Sequence, residues 1–201
     1  MKPTIDKQLV ELLQQMLETE LGGVKVYETA LQCVQNKDLK KEFEEYHEQT
    51  QKHVEIMHEL FEKLGLTKAE TPGTKVVGHI GASLIKAMKM ALESGTPEAA
   101  ELVACECIVS AETKDHLNWH LLNAYAEAAK GEVKKALTEA CEQVEDQEDE
   151  HLYHTKGWCR ELWIKSLGMK AVLPPPEERK EVKTAIGASR AEQARDEMLK
   201  H

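Results

Sequence analysis

Apolar residues along this chain return every three or four positions through four long stretches, the spacing that lines one face of an α-helix. The first stretch, from about Asp6 to Gln35, carries Leu9, Leu13, Met16/Leu17, Val24, Tyr27, Leu31 and Val34. The second, from about Leu39 to Leu64, carries Leu39, Phe43, Tyr46, Met57, Leu60 and Leu64, with Asp38 as its expected N-cap and Gly65 as its stop. The third, from about Pro97 to Lys130, carries Leu102, Cys105, Ile108/Val109, Trp119, Leu122 and Ala126. After Gly131 a fourth carries Val133, Leu137, Ala140, Val144, Thr155, Trp158 and Leu162.

Residues 66–96 connect the second and third stretches: a loop around Thr71-Pro72-Gly73-Thr74, then a shorter helix from about Val76 to Leu92. Thr96 and Pro97 suit the N-cap and first turn of the next helix. Alternating runs of Val, Ile and Thr are nearly absent, so the pattern predicts an all-α fold. Residues 1–170 read as one helical domain with its crossover at 66–96. Residues 171–201 read as a Pro-rich linker, through Pro174-Pro175-Pro176, and a polar helical tail.

Polar residues interrupt each of the four rows. Glu20 stands at the centre of the first, Thr50 and His53 in the second, Glu112 in the third with His116 one turn on, and Glu148 and His151 in the fourth. A buried carboxylate or imidazole is costly unless it is paired or bound to a cation. In an antiparallel hairpin, residues equally far from the turn share a height, because each residue advances about 1.5 Å. Glu20 precedes the turn at Asn36-Lys37 by as many residues as His53 follows it, and Glu112 and His151 flank Gly131 almost as evenly. Glu148 and His151 are three apart and share a face. The interruptions are therefore expected to meet at one level, holding either a metal ion or a metal-free Glu–His hydrogen-bond network. Asp115, His120 and His154 are lesser candidates, and Thr50 offers either a hydroxyl or open space.

Composition narrows the options. The formal net charge of −10 lacks the basic face that phosphate binding needs, so no nucleic-acid partner is expected. No apolar run is long enough to span a bilayer, and the charged start is unlike a signal peptide, so a cytoplasmic protein without a membrane partner is expected. Five cysteines, odd in number and without a Cys-x-x-Cys spacing, read as free thiols. Carboxylate and imidazole donors without thiolate suit iron or manganese, as one or two ions. Apolar Ile80, Leu84 and Met88 on the crossover helix, read as exposed, suggest a homodimer.

The inward Glu20 and Glu112, with the run Glu148-Asp149-Glu150-His151, give the chain a family likeness. Over roughly residues 6–165 it resembles the ferritin-like carboxylate proteins, in the broad sense that includes rubrerythrins and bacterioferritins. In that superfamily two helices each give a Glu and two each give a Glu-x-x-His pair. The second stretch departs from this, reading Thr50-Gln51-Lys52-His53 where a carboxylate is expected; Glu44-x-x-His47 and Glu55-x-x-His58 lie off the apolar row. The resemblance implies an up-down four-helix bundle whose second and third helices are joined by the long crossover. It also implies iron or manganese held by Glu20, His53, Glu112, His116, Glu148 and His151, reacting with dioxygen or peroxide as an oxidase, a peroxidase or an iron handler. The competing expectation is a non-catalytic stress-related or scaffold protein with a metal-free polar core.

Overall fold

The computed structural model describes residues 5–170, and every regular element within them is an α-helix. In order these are α1 (Lys7–Cys33), α2 (Lys37–Leu64), α3 (Pro72–Ser94), α4 (Pro97–Ala128), α5 (Gly131–Cys141) and α6 (Glu145–Ser166). The polar tail expected at 171–201 lies outside the described residues. No helix among the described residues is long and apolar enough to cross a membrane.

Local chemistry sets most of the helix ends. Asp6 caps α1 by accepting from the backbone N–H groups of Gln8 and Leu9. Asn36, rather than the expected Asp38, caps α2: its side-chain oxygen accepts from Asp38 and Leu39 N–H. Gly65 ends α2 in the left-handed region at φ 67°, where a Cβ would be strained. Helix α3 starts earlier than Val76 because Thr71 and Thr74 form a reciprocal capping box ahead of Pro72. Thr96 caps α4 through Ala99 N–H.

The fourth stretch is two helices, not one. A turn at 142–144 separates α5 from α6, although Leu137, Ala140, Val144 and Glu148 stay buried in phase across it. The acidic run that follows suits a new helix start: Glu145, Asp146 and Glu148 occupy the first turn of α6, where the positive end of the helix dipole favours negative charge.

Helix α1 is central, packing on α2, α3 and α4, while α4 also packs on α3, α5 and α6. Helices α2 and α6 meet only sparsely. Buried side chains cross-link the connections: Glu101 Oε1 of α4 accepts from Gln35 and Asn36 N–H in the α1–α2 turn, and Gln14 bonds Thr67 O and Ala69 N beyond α2. The apolar core forms two clusters. One includes Leu13, Leu17, Met57, Leu60, Trp119, Leu122 and Leu137; the other includes Tyr27, Phe43, Tyr46, Met88, Ile108 and Trp158. Met88, expected on the surface, is fully buried in the second cluster, Leu84 is half-buried, and Ile80 is exposed.

Candidate metal centre

The polar interruptions of α1, α2, α4 and α6 belong to neither apolar cluster. Glu20, Thr50, His53, Glu112, Glu148 and His151 are all buried. Glu20, His53 and Glu148 offer ligand atoms within 4.8 Å of one another, as do Glu112, Glu148 and His151. Glu148 belongs to both groups.

Two of the three carboxylates are anchored through one oxygen. Glu20 Oε1 accepts the indole N–H of Trp119 at 2.7 Å, and Glu112 Oε1 accepts the Tyr27 hydroxyl at 2.7 Å. Their other oxygens, Glu20 Oε2 and Glu112 Oε2, are buried without a hydrogen-bond partner, and so are both oxygens of Glu148. One oxygen thus fixes each outer carboxylate and the second turns inward, while Glu148 between them is bare on both sides. Buried polar atoms are ordinarily paired, so convergent unpaired ones call for a cation.

The imidazoles complete the arrangement. His53 Nδ1 lies 3.2 Å from Glu148 Oε1 and 3.7 Å from Glu20 Oε2. His151 Nδ1 lies 3.6 Å from Glu112 Oε2 and 3.7 Å from Glu148 Oε1. The 3.2 Å contact is close enough for an ion pair, yet His53 Nδ1 makes no aligned hydrogen bond. The ligand atoms of each group therefore lie close enough together that they could hold a single cation.

Without metal, protons must supply the positive charge. Burial disfavours a charged His53, but the Glu148 and Glu20 carboxylates outweigh it and raise its pKa to about 10. Burial raises Glu148 to about 7; His53 opposes this, and Glu112 adds repulsion. Burial, then repulsion from Glu20, Glu148 and Glu112, raises Asp115 well above the usual carboxylate range.

Asp115 and His116 exchange the importance the sequence suggested. Asp115 is buried against Glu20, with Oδ1 unpaired. Its signal was its place one turn after Glu112, on the same helix face. His116 joins neither ligand group: its Nε2 meets Asp149 Oδ1 at 2.7 Å near the surface. Thr50 donates its hydroxyl hydrogen to the Tyr46 carbonyl at 2.8 Å and belongs to neither ligand group.

Next to the centre lies a second buried polar group, built on Glu42, which the sequence reading passed over although it stands three residues after Leu39 and four before Tyr46. Glu42 Oε1 accepts from Tyr46 Oη at 2.6 Å and lies 2.9 Å from His154 Nδ1, and Glu42 Oε2 accepts from Trp158 Nε1. The Tyr46 ring packs 4.3 Å from that of His151. His154, expected at the flank, is therefore interior. Comparison of the chain with protein-family models, curated proteins and solved structures found no match.

Proposed function

We propose that this is a ferritin-like metalloprotein in which α1, α2, α4 and the α5–α6 pair form the four-helix bundle and α3 lies in the crossover. Its centre binds iron or manganese. Glu20, His53 and Glu148 would hold one ion and Glu112, Glu148 and His151 a second, with Asp115 a further carboxylate on the Glu20 side. The supporting observation is the convergence of buried, unpartnered Glu20 Oε2, Glu112 Oε2 and both Glu148 oxygens on the inward nitrogens of His53 and His151. Carboxylate and imidazole donors fit these metals, and the apolar clusters on either side limit water. Bound metal would supply the capacity to bind dioxygen or peroxide and exchange electrons with it. Trp119 and Tyr27 orient the outer carboxylates.

The test is to load the protein anaerobically with ferrous iron, admit oxygen, and follow near-ultraviolet absorbance beside elemental analysis. Up to two ions per chain, with an absorbance change lost in His151→Ala, is the expected result. No uptake from ample iron, and no effect of His151→Ala, ends the proposal. The second reading, a non-catalytic stress or scaffold protein with a metal-free core, draws support from His53, which a proton alone can hold between Glu20 and Glu148. Substoichiometric metal in protein made with ample iron favours it.

A further inference from the structure

Each imidazole of the centre has a second nitrogen, and the two share one environment. His53 Nε2 lies 2.8 Å from Gln147 Oε1, and His151 Nε2 lies 2.7 Å from Gln49 Oε1. Each glutamine sits on the opposite helix from the histidine it holds. Gln49 also precedes His53 by four residues, as Gln147 precedes His151, so the chain carries the frame Gln-x-x-x-His twice, as Gln49-Thr50-Gln51-Lys52-His53 and Gln147-Glu148-Asp149-Glu150-His151. Residues four apart share a helix face. Antiparallel pairing of two such faces crosses the partners over.

The register is sustained beyond this pair. Glu42 meets Trp158, Tyr46 meets His154, Gln49 meets His151 and His53 meets Gln147, so each step along α2 is matched by an equal step back along α6. Both glutamines are half-buried, between the imidazoles and solvent.

The geometry points to Gln49 and Gln147 as positioning residues, an exchanged pair of amide acceptors that present the Nδ1 atoms of His151 and His53 to bound metal. This rests on the metal-binding reading above. An amide oxygen only accepts, so the imidazole hydrogen goes to Nε2 and the lone pair to Nδ1, the nitrogen that faces the carboxylates. A metal-bound histidine commonly gives its other N–H to a carboxylate or carbonyl, which fixes tautomer and ring orientation. Here the acceptors are neutral, so they add no negative charge to a centre that already holds Glu20, Glu112, Glu148 and Asp115. The exchange also makes each helix hold the other's ligand.

The experiment uses the full chain with zinc as a redox-silent probe, comparing wild type with Gln147→Leu, Gln49→Leu and Gln147→Glu. Zinc affinity is titrated, folding is checked by circular dichroism, and nitrogen-15 spectra of the histidines report which ring nitrogen bears hydrogen. In zinc-loaded wild type, His53 and His151 should each carry hydrogen on Nε2 with a metal-shifted Nδ1. Each Leu variant should lose about 10–100-fold in affinity. Gln147→Leu should disturb the His53 signals before those of His151, and Gln49→Leu the reverse, while Gln147→Glu, which keeps an acceptor, restores binding. Undiminished affinity in both Leu variants overturns the positioning role alone, whereas hydrogen on Nδ1 in the loaded protein overturns the role and removes that histidine as a ligand. Failure of wild type to take up zinc overturns the metal-binding reading and the role together. Should Gln147→Leu fail to fold, the affinity and ring signals of Gln49→Leu decide.

Discussion

Glu42 and Glu148 are buried carboxylates on facing helices with opposite surroundings. Glu42 accepts from Tyr46 and Trp158 and adjoins His154, whereas Glu148 has no aligned donor on either oxygen. A buried carboxylate whose donors are in place stabilises its surroundings, and one without them strains them. In metal-free protein at pH 8, Glu42→Ala should therefore lower stability by about 1–3 kcal/mol, because it removes the buried carboxylate that accepts from Tyr46 and Trp158 and lies beside His154. Glu148→Gln should instead raise Tm by a few degrees while abolishing metal uptake; paired thermal melts and metal titrations check both. The same logic fixes a pH dependence. Folded His53 keeps its proton to about pH 10 instead of 6.5, and folded Glu148 to about 7 instead of 4.5. In both cases the native state holds more protons than the unfolded chain, so stability falls as pH rises. Glu148's contribution is lost between about pH 4.5 and 7, and that of His53 between about 6.5 and 10. Metal-free protein should show this decline in melts across that range. Binding should release protons near neutral pH, measurable with an indicator dye in weak buffer.

At the level of the helices, the two Gln-x-x-x-His frames differ at one inward position, Glu148 in α6 and Thr50 in α2. Thr50→Glu makes the frames alike. It should destabilise the metal-free protein by adding a buried charge and raise metal affinity when ions are supplied, with calorimetry and melts separating the effects. The side chain must turn from Gly23, where a Cβ would stand only 3.2 Å from the Thr50 methyl. Much of this level was legible in the sequence. A carboxylate or imidazole inside an apolar row is conspicuous, and hairpin symmetry gives its height, so Glu20, His53, Glu112, Glu148 and His151 could be grouped before any coordinates. The turn between α5 and α6 was not, because Val144 and Glu148 keep the period across it and only the acidic run marks a new helix start. Asp115 and Glu42 also stand in phase with the buried rows, Asp115 three after Glu112 and Glu42 three after Leu39 and four before Tyr46, but spacing alone does not tell which of two adjacent in-phase positions turns inward.

For the whole molecule, the polar layer divides one helical domain into two apolar clusters and leaves it short of positive charge at the middle. An ion that binds only the folded state stabilises it by mass action, by about 2.7 kcal/mol at a hundredfold excess over Kd. Tm should accordingly rise with zinc or manganese concentration in wild type and stay flat in Glu148→Gln. With a net charge of −10, uptake should slow as ionic strength increases, which stopped-flow measurements at two salt concentrations would show. The homodimer remains a proposal that light scattering addresses directly; Val76 and Ile80 of α3 and Leu117, Leu121 and Tyr125 of α4 are the exposed apolar side chains it would draw on.

The sparse meeting of α2 and α6 has a consequence of its own. Besides Phe43 and Trp158 in the apolar cluster, this pair is joined by Gln49, Gln147, Tyr46 and Glu42, and the two half-exposed glutamines are fasteners that water is able to grip. The bundle should breathe along this edge at the glutamines, beside its most exacting residues. Loading the interior and shutting that edge then become a single event, and slowed amide exchange in α2 and α6 after metal addition would record it.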